Sequence, residues 1–570
     1  MKAPNIEDTQ PLSLAEGHKA VLTLLRAGAL EQAEKEFYRL KLHKVNGDED
    51  ILGLWGRLLK SKALEASGDV RRSLALDASE QYAFAYEQTG GTYSGINTAA
   101  MALIGGDETT SYALAQRILR QLPETYPAPG EDAYYHMATK AEAYLLMGNV
   151  DEARETLMDA QMLDPHNFAA HATTLQQFEM ILTAQGLEVA WLDPLRPPKT
   201  LHFAGHIFSE TGGLQILDHE HVDQLKKKIT DIISNDTIGF AYGALAAGSD
   251  IIIAEALLEV GAELHVVMPC AETLFIEKSI LPFGEEWLPR FEACMAAAKS
   301  VRYVTADTET MDDLSTAFSS EVSMGLAVLK AQALATEAVQ LVVWDEHIPI
   351  NGAGTARDAI LWAKNKRKQI VVPYPVARKV VSIWPHLVDE QKRGLKAMIF
   401  ADVRGFGALN ETQVPLFIDH VLTPLADHVR MQGHHVKHQN TWGDGLFLVL
   451  DSVDAAADVA LALQACFRDI KLKDVGLPEF LALRIGGHYG PVHELDDPIM
   501  GEPGMFGTEV SLAARIEPVT VPGSIYVSEP FACSLAANTA SLYRCEQVEE
   551  IEPRRGKPAM PLFSLRKLKK

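Results

Sequence analysis

Paired cysteines are the first feature that this sequence lacks. Its five cysteines are odd in number, lie far apart, and form no Cys-x-x-Cys pair, so neither a disulfide framework nor a thiolate zinc site is indicated. We expect each of them to be a small buried apolar residue. They are Cys270, Cys294, Cys466, Cys533 and Cys545.

Long apolar runs and positive charge are also scarce. No uncharged apolar run of about 18 residues occurs, and the N-terminus lacks the basic-then-apolar order of a secretory signal, so we expect a cytoplasmic protein and no membrane span. Asp and Glu number 76 against 52 Lys and Arg, which gives a net charge of −24. This surplus opposes binding to nucleic acid or an anionic membrane, and we expect neither partner.

The composition is otherwise that of a globular protein, with 47% apolar and 22% charged residues. A chain of 570 residues is too long for one core, so we predict three domains. Their predicted bounds are 1–195 for a helical region, 196–380 for an α/β domain, and 392–570 for an α+β domain.

The helical region is predicted from apolar residues at helical spacing in "ATKAEAYLLMGNVDEARETLMDAQMLDP". Gly148 should end one helix and Pro165 the next, which makes a helical hairpin. The segment resembles a tetratricopeptide repeat, and two weaker copies precede it. The glycine-rich "TGGTYSGINTAAMALIGG" lies between the weaker copies and this repeat. It is either a turn entering a buried helix or a segment similar to one in the helical-repeat regions of signalling kinases and of multidomain bacterial proteins. We assign the region to regulation or scaffolding, with a possible protein partner.

The middle region begins after "WLDPLRPPKT", a proline-rich linker that should not sustain a helix. Short apolar runs then alternate with helical patterns, which predicts a doubly wound, Rossmann-like parallel sheet. Two glycine-rich loops each follow a strand and precede a helix, where backbone amides can hold a phosphate. The candidate ligand residues are Gly243, Gly248 and Ser249 in the first loop and Gly352, Gly354 and Thr355 in the second.

These two loops resemble those of the nucleotide-sensing domains of the SLOG superfamily, which implies a nucleotide-like ligand. Glycines after strands also serve plain tight turns, so this interpretation competes with a purely structural one. A nucleotide-cleaving enzyme in this domain is a weaker hypothesis, because Asp250 and Glu255 are equally well interpreted as helix-start and surface carboxylates.

The last region contains two carboxylates that the pattern brings together. "KAMIFADVRGF" predicts a strand that ends at Asp402, and "TWGDGLF" predicts a tight hairpin turn with Asp444 at its tip. Two carboxylates held together suit Mg²⁺ or Mn²⁺, and two such ions could bridge a triphosphate. The turn after Asp402 offers backbone amides to phosphate oxygens. Its residues are Val403, Arg404, Gly405 and Phe406.

Five blocks in order, across about residues 395–567, resemble the class III adenylate and guanylate cyclases. They are "FADVRGF", "TWGDGLF", "LRIGGHYGPVH", "MFGTEVSLAARIEPVTVPGSIYVSE" and "PRRGKPAMPLFSL". The resemblance implies a ferredoxin-like βαββαβ fold and conversion of a nucleoside triphosphate to a 3′,5′-cyclic nucleotide and pyrophosphate. It also implies that Asp402 and Asp444 bind both metal ions and that Arg515 stabilises charge on the α-phosphate. Arg555, at the family's lysine position, would hold the terminal phosphates.

Three positions depart from the family pattern. Asn440 and Gly504 stand at the two base-reading positions, so ATP, GTP, CTP and UTP all remain possible substrates. Ser511 replaces the asparagine of the catalytic helix and could donate one hydrogen bond. We interpret His488 as a packed, hydrogen-bonded strand residue.

The resemblance also implies a head-to-tail homodimer with two shared sites, since the metal carboxylates and the arginine come from opposite copies. The alternative to an enzyme is a cyclase-like domain that binds nucleotide and dimerises without turnover. Ser511 and Asn440 favour this alternative, whereas the two aspartates with Arg515 and Arg555 oppose it.

Overall fold

A computed structural model describes most of the chain, in two compact units, Met1–Pro197 and Pro198–Leu568. The described residues are 13–26, 28–123, 128–210, 216–304, 310–346, 354–375, 393–431, 433, 435–539, 542–551 and 559–568.

The first unit consists of antiparallel helices. Gly148 adopts φ +82° between α7 and α8, and α8 ends two residues before Pro165, which confirms the predicted hairpin. Its helices are α1 (Leu14–Arg26), α2 (Leu30–Arg39), α3 (Glu49–Glu65), α4 (Gly68–Thr89), α5 (Thr92–Gly105), α6 (Glu108–Gln121), α7 (Glu131–Leu146), α8 (Val150–Leu163) and α9 (Phe168–Gln185).

The glycine-rich segment is a turn that enters a buried helix. Gly90 ends α4 at φ +70°, and α5 then buries nine consecutive residues from Ser94 to Ala102. A Cβ at Gly95 would lie 2.4 Å from the Ile118 side chain, so glycine permits α5 and α6 to approach closely. The structural interpretation therefore accounts for this motif.

The proline-rich segment is helical after all, but as a 3-10 helix at Ala190–Leu195. Pro194 lies inside it, and Leu192 is its buried residue. The short 3-10 form tolerates the proline because few backbone amides in such a turn need a partner.

The predicted doubly wound sheet is confirmed in the second unit. Six parallel strands lie in the order β4-β3-β2-β1-β5-β6, so the strand order reverses between β1 and β5. The strands are β1 (Lys199–Gly205), β2 (Ile238–Gly243), β3 (Glu263–Met268), β4 (Ser300–Tyr303), β5 (Ala338–Trp344) and β6 (Gln369–Pro373). The helices are α10 (His219–Asn235), α11 (Ser249–Glu259), α12 (Glu272–Ser279), α13 (Trp287–Ala297), α14 (Asp313–Ala333) and α15 (Thr355–Lys364).

The C-terminal part of this unit forms a mixed sheet in the order β13-β14-β12-β10-β7-β9-β8, with β11 paired to β10. The strands are β7 (Arg393–Arg404), β8 (Val436–Trp442), β9 (Gly445–Leu450), β10 (Ala482–Asp496), β11 (Pro503–Phe506), β12 (Ile525–Ser528), β13 (Tyr543–Ile551) and β14 (Met560–Lys567). The helices are α16 (Gln413–Phe417), a π-helical turn (Ile418–Leu422), α17 (Thr423–Met431), α18 (Val453–Asp469), α19 (Thr508–Ala513), α20 (Ile516–Val519) and α21 (Glu529–Asn538).

The two sheets of this unit are joined by a helix pair, since α14 of the parallel sheet packs on α21 of the mixed sheet. A core of Met324, Val328, Trp362 and Ala537 lies between them. The division of this unit into two domains stays a prediction, and below we use the names middle domain (Pro198–Tyr374) and C-terminal domain (Arg393–Leu568).

The five cysteines carry free thiols. Three are buried and two are half-buried, and burial raises the pKa of each thiol, in Cys270 to about 11. A raised pKa keeps the thiol protonated and unreactive at neutral pH, as predicted from the sequence.

Candidate active site

The two predicted metal-binding aspartates lie together at one edge of the mixed sheet. β7 and β9 pair antiparallel with Ala401 opposite Leu446, which puts Asp402 just beyond the end of the pairing. β8 and β9 form a hairpin whose two-residue turn is Gly443-Asp444, and Gly443 takes φ +70°. The local turn chemistry therefore brings Asp444 to Asp402 as the sequence predicted.

The electrostatics of this pair show that the carboxylates interact. Burial, followed by the charge of Asp402, raises the pKa of Asp444 to about 6. The backbone amide of Val403 donates to the Asp444 carboxylate and acts in the opposite direction. Repulsion between two nearby carboxylates is relieved when a cation binds both.

Arg484 and Glu517 complete this cluster, and the sequence analysis did not assign either to the site. Arg484 faces Asp402 across the β10–β7 pairing, and its Nη2 atom lies 2.7 Å from Asp402 Oδ2. The same Nη2 lies 2.8 Å from Glu517 Oε1, and the pKa of Glu517 is raised by burial. The signal in the sequence was the arginine of "LRIGGHYGPVH", which we quoted only as part of a strand motif.

The donor set fits a hard divalent cation. Asp402 and Asp444 offer carboxylate oxygens, and Asp402 keeps 28% of its side chain exposed, so an ion can approach from solvent. Among the described residues no group of three or more His, Cys, Asp or Glu side chains could hold a metal ion. A site on this pair would therefore leave coordination positions for substrate oxygens and water.

The glycine turn after Asp402 has mixed roles. Val403 is buried and its amide bonds Asp444, so that amide is not directed to a phosphate. Gly405 takes φ +96° and starts a 3-10 turn, Phe406–Ala408. Arg404 is exposed, and the Phe406 ring lies 4.8 Å from that of Phe417.

The two predicted base-reading residues occupy different settings. Asn440 is exposed on β8, and its Oδ1 accepts from the Thr441 amide at 2.8 Å. Gly504 is buried on β11 opposite Leu495, and a Cβ there would lie 2.8 Å from the Phe506 ring. The close ring explains the glycine, whether or not a base binds nearby.

The predicted phosphate-binding residues lie in the helical turn after β11. Ser511 in α19 and Arg515 at the start of α20 are both exposed. Arg555 lies outside the described residues. His488 is buried between Ser528 Oγ at 2.7 Å and Glu509 Oε2 at 2.8 Å, which confirms its structural interpretation.

A family model decides what this region is. Residues 388–567 match the model described as "Adenylate and Guanylate cyclase catalytic domain". The C-terminal region belongs to this cyclase family. The match includes Asp402, Asp444, Arg484, Ser511 and Arg515.

Solved structures similar to the cyclase domain include three that cover 30–31% of this chain. They are the adenylyl cyclase CyaB from P. aeruginosa (18% identity, 94% of that chain, TM-score 0.27), an adenylate cyclase from Trypanosoma brucei in its monomeric state (20%, 88%, 0.27), and the dimeric guanylyl cyclase domain of the RhoGC fusion protein from the aquatic fungus Blastocladiella emersonii (18%, 99%, 0.27). The search of curated proteins gave no match.

The N-terminal region matches a second family model. Residues 6–102 match "Tetratricopeptide Repeats-Sensor", which includes the two weaker helical copies noted in the sequence. In the described part of the chain, no helix combines the length and the apolar character needed to cross a bilayer.

In the middle domain, the first glycine-rich loop is occupied by packing. A Cβ at Gly243 would lie 2.6 Å from the Phe203 ring, and Gly248 takes φ +93° against Phe208. Ser249 is buried, and its hydroxyl donates to the His206 carbonyl at 2.8 Å. These contacts explain the three residues structurally, and their role in ligand binding stays a prediction.

Only the end of the second loop lies within the described residues. Gly354 takes φ +103°, and no atom of the described residues lies within 4 Å of the position that a Cβ would occupy there. Thr355 begins α15, and Gly352 lies outside the described residues.

Asp250 lies in the first turn of α11, which confirms its helix-start interpretation, but it is buried. It is 7% exposed, and one of its oxygens accepts from the Ala246 amide at 3.3 Å. Glu255 is half-buried and pairs with Arg290 at 2.7 Å. Neither carboxylate lies free at the surface.

Proposed function

We propose that the cyclase domain converts a nucleoside triphosphate to a 3′,5′-cyclic nucleotide and pyrophosphate. The observation that carries this proposal is that Asp402 and Asp444 lie together at the sheet edge. Repulsion between the two carboxylates favours the binding of a cation there. Family membership of residues 388–567 supports the reaction class.

Asp402 and Asp444 would hold two Mg²⁺ or Mn²⁺ ions. Such ions, when bound, neutralise the triphosphate and lower the pKa of the ribose 3′-hydroxyl. Arg484 orients Asp402, because its Nη2 atom donates to Asp402 Oδ2 at 2.7 Å. The Val403 amide orients the Asp444 carboxylate in the same way.

Arg515 would act from the partner copy of a head-to-tail homodimer. It carries positive charge toward the α-phosphate as the 3′-oxygen attacks and pyrophosphate leaves, and Arg555 would hold the terminal phosphates. Ser511 would donate one hydrogen bond beside Arg515. Each site would then combine residues of two chains.

The base is left open by Asn440 and Gly504. The amide of Asn440 can donate and accept, and Gly504 offers no side chain, so either a purine or a pyrimidine edge could be read. We place ATP and GTP first and keep UTP and CTP as further substrates.

The other domains would regulate this reaction in the cytoplasm. The helical unit would bind a protein partner, and the edge of the middle domain at Gly354 and Thr355 would bind a nucleotide-like ligand. Each event would bias the cyclase domain between competent and incompetent states.

The test is to incubate the full chain with Mn²⁺ and each of ATP, GTP, CTP and UTP, and to identify products by mass. Asp444→Asn is the site variant, and Asp419→Asn is its matched control, because Asp419 is an exposed carboxylate in the π-helical turn. A cyclic product made by the wild type and the control, but not by Asp444→Asn, supports the proposal.

A nucleotide-binding module without turnover is the second candidate, and the exposed Ser511 in place of asparagine favours it. This candidate predicts nucleotide binding without any cyclic product, with Mn²⁺ bound by the wild type and lost in Asp444→Asn. Cyclic product from the wild type contradicts it.

A further inference from the structure

Helix α21 of the cyclase domain is held along its whole length by residues of the middle domain. At its first residue, Glu529 pairs with Arg302 of β4. At its last turn, the Arg367 guanidinium donates to the carbonyls of Ala537 at 3.2 Å and Thr539 at 3.0 Å. Arg367 therefore satisfies carbonyls that a helix end leaves without intrahelical partners, and its charge suits the negative end of the helix dipole.

The centre of α21 lies directly against α14. A Cβ on Gly325 would lie 2.2 Å from the Cys533 carbonyl oxygen, so the two helices meet at backbone distance. On the other side, α14 is fixed to the parallel sheet, because Thr200 Oγ1 donates to the Ala327 carbonyl at 2.7 Å. A shift of α14 relative to its sheet must therefore move α21 or break this contact.

One buried carboxylate interacts with side chains of both domains. Glu321 of α14 is 4% exposed, and one of its oxygens pairs with Arg357 of the middle domain. Its other oxygen accepts from Ser534 Oγ of α21 at 2.7 Å and from Asn538 Nδ2 at 3.5 Å. A buried charge needs all of these partners, so the loss of one on either side leaves the carboxylate poorly compensated.

Two of the partners of Glu321 connect it to different parts of the chain. Arg357 is the third residue of α15, in the first turn of the helix that begins after Gly354. Ser534 lies beside Tyr489 of β10, whose hydroxyl is engaged by both Ser534 and Glu321. The same strand carries Arg484 opposite Asp402.

We propose that α21 is the control element of this chain and that Glu321 transmits the state of the α15 turn to it. A movement of Arg357 changes the charge balance at Glu321. It thereby changes the strength of the hydrogen bond from Ser534 to Glu321, which fixes the position of α21. This inference rests on the proposed cyclase function for its output, but the coupling itself is a property of the folded chain.

The experiment measures amide hydrogen exchange in the full chain for single variants made on one side only. Arg357→Gln, in the middle domain, should speed exchange in residues 531–538 of α21 by about tenfold, because a buried charged hydrogen bond is lost. Ser534→Ala, in the cyclase domain, should speed exchange in residues 355–361 of α15 to a smaller degree. Glu337→Gln is the control, since Glu337 forms an exposed ion pair with Lys199, and it should change neither segment.

Transfer of the effect across the helix pair in both variants supports the proposal. Exchange that changes only within the altered domain overturns it. Ser534→Ala removes a single hydroxyl and serves as the informative variant should Arg357→Gln fail to fold.

Exchange needs no turnover, so it separates this inference from the proposed function. Coupled exchange in a chain that makes no cyclic nucleotide refutes the reaction and keeps the coupling. If the Arg357→Gln variant makes cyclic nucleotide at the wild-type rate and its exchange in α21 is unchanged, the coupling is refuted and the proposed reaction stands.

Discussion

Each sheet of the larger unit has a pair of aspartates beside it, at strand ends and turns in one case and in the first turns of α11 and α15 in the other, and the two pairs have opposite surroundings. Asp402 and Asp444 lie at an accessible edge beside Arg484. Asp250 and Asp358 of the middle domain are 7% and 2% exposed, and burial raises their pKa values to about 8 and about 7. Asp444 of the first pair can thus exchange a proton for a cation near pH 6, whereas the second pair holds protons near neutral pH.

The difference teaches that an aspartate near a strand end does not by itself mark a metal site. Access to solvent favours the ionised form of a carboxylate, whereas deep burial favours the protonated form, even at Asp358, whose carboxylate lies 4.0 Å from the Arg357 guanidinium. Four experiments test this contrast, beginning with the largest effect.

Loss of one accessible carboxylate should abolish the reaction. We expect Asp402→Asn and Asp444→Asn each to lower cyclic nucleotide formation by at least about 1,000-fold, because charge in the transition state loses its compensation. Mn²⁺ binding followed by electron paramagnetic resonance should be lost in parallel. Mn²⁺ affinity at the wild-type value in Asp444→Asn would refute the assignment of the metal site.

Complementation tests whether the accessible pair is shared between copies. A mixture of Asp444→Ala and Arg515→Ala chains should recover about a quarter of wild-type activity, since half of the dimers are mixed and each has one intact site of two. The measurement is product formation after the two inactive chains are mixed and allowed to exchange. A mixture as inactive as either chain alone would exclude the shared site.

Protons should compete with metal at the accessible pair. Because the pKa of Asp444 is raised to about 6, the apparent Mn²⁺ affinity should fall as the pH drops through about 6. In Arg484→Gln, Asp402 loses its cation and the midpoint should move up by about one pH unit. Titrations of Mn²⁺ binding from pH 5 to 8 measure this shift, and equal midpoints in the two proteins would contradict the role of Arg484.

The buried pair should affect stability instead. The folded pKa of Asp250 is raised above its unfolded value, so folding takes up a proton and wild-type stability falls as the pH rises from about 4 to about 8. Asp250→Asn removes this loss, and its advantage in unfolding free energy should grow by about 1 kcal/mol per pH unit in that window. Urea unfolding of both proteins at pH 5, 6.5 and 8 checks the trend. A constant difference would mean that Asp250 is ionised in the folded chain.

What the sequence predicted well was local. The Gly443-Asp444 turn and the helical hairpin that turns at Gly148 follow from the conformational freedom of glycine. Such turns can be predicted because they depend only on residues that are close in sequence. The parallel sheet followed from short apolar runs between helices.

Long-range pairing was not predictable in the same way. Arg484 and Asp402 are 82 positions apart, and only the register of β10 on β7 brings them together. The pattern around Gly243 could not show whether glycine is needed there to bind a phosphate or to make room for the Phe203 ring.

The capping of α21 by Arg367 has a consequence for how this chain could have been assembled by recombination. A break placed in the connection between the two sheets, where sequence comparison puts the domain boundary, would leave the last carbonyls of α21 without their guanidinium and the face at Cys533 without Gly325. The parallel sheet and the cyclase domain should therefore be inherited and exchanged together, as one piece of the chain.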